Sequence, residues 1–235
     1  MTLFSLLLSL SLPVLAGPDQ DMAMASDPEL PVAARQEAFD RIVALGATDI
    51  GMVRELATDG DADTRKRWVA IRALGHIGGA QADQILEGLL SDPQPAIRAA
   101  AVGGLGEIAD RQHTDEIAGL LTDPAIIVRA EAAAALGAMG DPKAVTPLSK
   151  ALDDTTNFHR GTSLWVRRHY VVALGDIGDK DAVPALLRAL DDADPVVSAE
   201  VIPAFEKIGG FSMGEGRTPD QERDAWRRWA SAQVQ

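Results

Sequence analysis

VRAEAAAALGAMGDPKAV, residues 128–145, is a strong helix former interrupted by Gly137 and closed by Gly140-Asp141-Pro142. A glycine inside a helix costs about 1 kcal/mol relative to alanine, so its position asks for a reason. The stretch has relatives in the same chain: AIRAAAVGGLGEIADRQHTDEI begins at Ala96 and WVRRHYVVALGDIGDKDAVPAL at Trp165. Leu-Gly pairs fall at Leu74-Gly75, Leu105-Gly106, Leu136-Gly137 and Leu174-Gly175, and a fainter copy puts Phe205-Glu206 in the same slot. The intervals are 31, 31, 38 and 31 residues. A fixed period of this length is the signature of a solenoid, in which each unit buries its apolar face against the next.

Each unit reads as two helices. AVTPLSKALDD from Ala144 carries Val145, Leu148 and Leu152 at helical spacing, and AVPALLRALDD from Ala182 is nearly its copy. ADQILEGLLSD and TDEIAGLLTD fill the same slot earlier in the chain. An acidic turn follows each first helix, and its Asp-Pro pairs suit the start of the second, with Asp as a cap and Pro in the first turn. In the second helix Val128, Ala132, Ala135, Leu136 and Met139 form an apolar stripe. Gly137 then reads as a packing residue that admits the next helix pair, and Gly140 as the helix stop. The last unit departs from the pattern: Ser198 stands in the slot of a recurring arginine, and Pro203 falls inside the second helix and should kink it.

The consensus D-P-x-x-x-V-R-x-x-A-x-x-A-L-G-x-x-G-D-x-x-A-V resembles HEAT repeats, specifically the PBS-lyase-HEAT-like subtype. The resemblance runs from about Thr48 to Gly210, with a degenerate leading helix near residues 31–45. The ending TPDQERDAWRRWA resembles a Trp-x-x-Trp helix that follows such arrays, with Trp226 and Trp229 covering the last repeat. The resemblance implies an all-α, HEAT-like α-solenoid: a linker over residues 17–30, a repeat array over 31–210, and a C-terminal loop and capping helix over 211–235. It also implies that Arg67, Arg98, Arg129 and Arg167 pair with turn aspartates such as Asp92 and Asp123 in a ladder along one edge. Second helices would line a concave face, and the two positions after each repeat arginine would point into it.

On that face the small residues Ala99, Ala100, Ala130, Gly103 and Ala134 would form a shallow floor. Trp68, Arg72 and His76 would stand at one end, Arg168, His169 and Tyr170 at the other, with Glu131 between them. Such a groove could take an extended peptide or a helix, preferably one with acidic ends. A second candidate surface is the stretch 155–164, where the 38-residue interval carries its seven extra residues. Phe158, His159, Arg160 and Trp165 give that rim loop aromatic and basic character.

The same slots test a catalytic reading. HEAT-like deoxyhypusine hydroxylases, by resemblance, hold two irons through His-Glu pairs after the repeat arginine. Here those slots read Trp68-Val69, Ala99-Ala100, Ala130-Glu131, Arg168-His169 and Ala199-Glu200, so the ligand set is missing. The acidic turns lack the pattern of an EF-hand: DGDADTRKR, from Asp59, has Ala70 where the closing Glu should be. His76, His113 and His159 have no partner at metal spacing. The expectation is a chain with no metal, no cofactor and no catalytic residues.

Composition narrows the partners. A net charge of −13 opposes nucleic acid, whose binding rests on Lys and Arg clusters. The chain has no cysteine, which removes disulfides, thiolate chemistry and cysteine-bound zinc. MTLFSLLLSLSLPVLAG at the start carries no charged side chain, is too short an apolar run to span a bilayer comfortably, and offers a small-residue cleavage site at Ala16. A cleaved signal peptide over residues 1–16 is expected, giving a periplasmic or secreted protein with no stable membrane insertion. The function expected is a non-catalytic scaffold or adaptor of the cell envelope that binds a protein or peptide. The alternative is an accessory factor to an enzyme or cofactor-maturation system of the lyase type.

Overall fold

Leu-Gly slots repeated at one period require helices that meet along a small-residue stripe. The computed structural model, which describes residues 17–234, contains such a stack. The signal peptide expected over residues 1–16 lies outside the described residues. Six helix pairs follow one another: α1 (Pro18–Ser26) and α2 (Val32–Gly46); α3 (Gly51–Thr58) and α4 (Thr64–Ile77); α5 (Gly79–Leu89) and α6 (Pro95–Ile108); α7 (Thr114–Gly119) and α8 (Ile126–Met139); α9 (Val145–Asp153) and α10 (Val166–Ile177). The sixth joins α11 (Val183–Ala189) to a second helix interrupted at Glu200, α12 (Pro195–Ala199) and α13 (Val201–Gly209). A terminal helix, α14 (Pro219–Gln233), closes the array. The fold is an all-α solenoid.

The repeat leucines Leu74, Leu105, Leu136 and Leu174, and Phe205 in their slot, are completely buried. The glycine after each leucine sets the distance between units. A Cβ on Gly75 would come within 2.7 Å of Gly104 Cα, one on Gly106 within 2.9 Å of Ala135 Cβ, and one on Gly175 within 2.7 Å of Ala204 Cα. Gly137 meets Ala173 in the same way at 3.1 Å. The second helices α4, α6, α8, α10 and α13 therefore pack into a continuous layer, while the first helices touch their neighbours much less. Close approach on one side only curves the stack, with the second helices inside.

The arginine ladder forms with a constant offset of twenty-five residues, with one exception. Arg67 meets Asp92 at 2.7 Å, Arg98 meets Asp123 through two bonds of 2.8 Å, and Arg167 meets Asp192 at 2.5 Å. Arg67 and Arg167 also donate to the carbonyls of Ala57 and Leu152 at the end of their own first helices. The exception is Arg129. The aspartate at its offset, Asp154, turns its carboxylate to the Thr156 N–H, and Arg129 donates to the Asp123 carbonyl instead. The rung fails where the seven extra residues enter.

Two expectations are corrected. Residues 17–30 are not a linker: they hold α1, which packs on α2 and α4 with Met22 buried and with buried Asp21 bonded to Arg41 at 2.8 Å. α1 is the first helix of a leading pair, and Gly46 lies 29 residues before Gly75, where a Cβ would strike the Ile77 side chain. The turn aspartates also act differently from the expected caps. Asp92 and Asp123 each accept the N–H two residues on, before the helix starts; Asp92 gives its other oxygen to the ladder, and Asp123 gives both of its oxygens. Asp63 and Asp194 do cap, accepting N–H groups at the starts of α4 and α12.

At the C-terminal end the pattern stops for a visible reason. Among the described residues no further second helix follows Phe205; Trp226 of α14 stacks on it with ring centroids 5.8 Å apart and is itself fully buried. Phe211 stacks on the other side at 5.2 Å, and Trp229 closes edge-on against both phenylalanines. Thr218 and Gln221 form a reciprocal capping box that starts α14.

Candidate functional site

The inner face is built from what the close helix contact leaves uncovered. Small residues in the contact stripe keep the floor low, so longer side chains stand as walls. Trp68 on α4 is 43% exposed, and its ring carries the Arg72 guanidinium at 5.7 Å. Beyond it a hollow of ≈ 530 Å³ opens between α4 and α8, floored by Ala99, Ala100 and Gly103 and walled by Trp68, Ile127 and Glu131. A second hollow of ≈ 470 Å³ lies between α8 and α10, with Ala134 and Ala138 on its floor and Arg168, His169 and Asp176 at its wall. Ala130 is buried beneath this surface.

Charge on this face is mostly settled within the chain. Arg72 and His76 both pair with Glu107, the histidine at 2.6 Å. His76 is further held edge-on by Phe39. Arg168 pairs with Glu200 at 2.7 Å, and Lys207 with Asp176 at 2.5 Å. The expected preference for acidic groups required free arginines at both ends, and both are already neutralised. Glu131 is the contrast: half-buried, its Oε2 lies 3.5 Å from where a Cβ on Gly103 would sit, and it forms neither a hydrogen bond nor an ion pair among the described residues. Burial pushes its carboxyl above the usual carboxylate range, with Arg72 and His169 drawing it only partly back.

Of the remaining expected residues, His169 lines the second hollow and meets Trp165 edge-on at 5.1 Å. Trp165 is 47% exposed at the start of α10, so it stands beside His169 at the edge of the second hollow rather than on the rim hairpin. Tyr170 does not belong to the face. It is fully buried beneath it, pointing toward Arg129 and Asn157, and burial raises its hydroxyl to a pKa of about 12. One helical step separates it from His169, which is enough to turn it into the core. Phe158 is likewise unavailable as an anchor: it is half-buried under the Arg167 guanidinium, 4.1 Å from its ring. The extra segment is a small hairpin, β1 (Phe158–His159) paired with β2 (Thr162–Ser163), turned through Arg160 and Gly161 at positive φ. Its root is fixed by buried Asn157 donating to Ala151 and by Ser163 donating to Asp192. His159 and Arg160 are exposed at its tip.

Sequence reasoning missed Ile127 and Glu107 as members of the face. Both were legible from register: Ile127 occupies the slot of exposed Ala96 and Trp165, and Glu107 that of His76 and Asp176. Among the described residues no group of three or more His, Asp or Glu side chains is placed to hold a metal ion.

Helix pairs stacked through a Leu-Gly seam, with an arginine–aspartate ladder on the edge, define a helical-repeat protein. The HEAT repeats family matches residues 82–165 and 157–215, and the PBS lyase HEAT-like repeat matches residues 66–92. The chain belongs to the HEAT-repeat proteins. Among curated proteins none matches it. Solved structures similar to it include a designed armadillo repeat protein in complex with the peptide (KR)4, at 20% identity over 82% of this chain and 100% of that one, TM-score 0.50. The CpcE and CpcF complex of phycocyanin lyase from Nostoc sp. PCC7120 is similar at 17% identity over 97% and 100%, TM-score 0.39. Human deoxyhypusine hydroxylase is similar at 18% identity over 92% and 95%, TM-score 0.36.

Proposed function

We propose that the chain is a non-catalytic scaffold whose inner face binds a protein segment or peptide. The observation that carries this reading is the uncovered face itself: two adjoining hollows with alanine and glycine floors, one walled by exposed Trp68 and Ile127, the other by Arg168 and His169, with exposed Trp165 edge-on to His169. Large apolar side chains left open beside a concave surface are what a partner would cover, and Trp is among the residues that most often dominate binding energy. The exposed tryptophans do not complete the core, since the repeat seam beneath them is already closed. Trp68→Ala and Trp165→Ala should each weaken capture of the native partner more than about tenfold, or 1.4 kcal/mol, while leaving the melt of the protein intact. Unchanged capture by both variants would move the site off this face.

We also propose that the scaffold works outside the cytoplasm. The support is the uncharged, apolar run over residues 3–15 followed by Ala16-Gly17. N-terminal sequencing of the protein from the exported fraction should start at Gly17; a chain that keeps Met1 and stays in the cytosol contradicts it.

A further inference from the structure

We infer that the hollow between Trp68 and Glu131 receives a basic side chain, Lys or Arg, of the bound segment. The inference rests on the inner face being the binding surface and adds the charge of its occupant. Four observations carry it. Glu131 is the acidic group of this hollow without a partner, while its neighbour Glu107 is shared by Arg72 and His76. Its carboxylate lies on an apolar floor, over Gly103, where water is displaced and a desolvated anion is costly unless a cation joins it. Trp68, although Arg72 lies over its ring, is still 43% exposed at the same hollow, and a cation is attracted to the open part of such an indole. Finally, the protein carries a net charge of −13, which draws a basic segment and repels an acidic one.

Geometry also sets what fits. The floor of Ala99, Ala100 and Gly103 leaves no donor for a carboxylate guest, and the adjacent Arg72 is occupied by Glu107 and by the Trp68 ring. A Lys or Arg stem can lie along the alanines with its charged head at Glu131, as long cationic side chains do on apolar surfaces. Ile127, 45% exposed at the far wall, would cover the stem.

The test uses the full chain and three labelled peptides: alternating Lys and Ala, alternating Gln and Ala, and alternating Glu and Ala. Binding is read by fluorescence anisotropy at a physiological ionic strength, about 0.15 M. Glu131→Gln keeps size and shape, Trp68→Ala removes the wall, and Asp115→Asn removes an exposed charge on α7 in the outer layer as a control. The Lys peptide should bind wild type at least about tenfold tighter than the other two peptides. Glu131→Gln and Trp68→Ala should each lose most of that preference, and Asp115→Asn should keep it. If the Lys peptide binds wild type and Glu131→Gln alike, the inference is overturned. Trp68-dependent binding of the Gln or Glu peptide instead overturns the charge assignment and leaves the inner face standing. If no peptide shows Trp68-dependent binding, the inference and the reading beneath it both fall.

Discussion

Gly75, Gly106, Gly137 and Gly175 are the residues on which the curvature depends, because each lets a neighbouring helix backbone come closer than a side chain permits. Their cost to helix stability is offset by contact across the seam, which is where a solenoid draws its stability. Gly175→Val should therefore destabilise by about 1–3 kcal/mol through overpacking against Ala204. The helix ends give the opposite case. Ala109 ends α6 in the left-handed conformation, φ 56°, in the slot that Gly140 and Gly178 fill in other units. Ala109→Gly should stabilise by about 0.5–1 kcal/mol; denaturant melts of the two variants measure both signs. The seam glycines were legible from their period. The reason Glu206 could replace one was not, since it lies in a contact made by the terminal helix: among the described residues Trp226 stacks on Phe205 there in place of another second helix.

Between elements, the ladder ties α4, α6 and α10 to the acidic turn of the next unit. Burial alone would push the carboxyls of Asp123 and Asp192 up, but bonds from Arg98 and Arg167 and from the turn N–H groups hold both below the usual range. A depressed folded pKa means that the stabilisation is complete above the unfolded value of about 3.9 and is lost as pH falls through the folded one. Arg98→Met leaves buried Asp123 without its cation and should cost about 3 kcal/mol at neutral pH. The penalty should shrink in urea melts run at about pH 4, where the stranded carboxyl binds a proton; an equal penalty at both pH values would mean that the pair is not the cause. The ladder followed from resemblance, and its broken rung did not: nothing in the order of residues shows that Asp154 turns to Thr156 rather than to Arg129. The hairpin that enters there was legible only as extra length. Its inward anchors, Phe158 on Arg167 and Asn157 on Ala151, depend on contacts that sequence period does not encode.

For the molecule as a whole, two ends and one face decide what it can do. The α1–α2 pair was hard to read because its second helix has Ala38 where the next four units have the repeat arginine, and its first helix lacks the leucine pattern. The inner face was readable in outline, from small residues at the centre and large ones toward the ends. Its charge was not, because pairing of Arg72 with Glu107 and of Arg168 with Glu200 joins residues 35 and 32 apart. A photo-crosslinking residue placed at Ala134, exposed on the inner floor, or at Glu116, exposed on α7, tests the central claim in cells that make the protein. The inner position should give a discrete adduct with a protein or peptide, diminished by Trp68→Ala, and the outer position should not. Equal adducts at both positions, or an adduct at Glu116 alone, would contradict the assignment of the inner face.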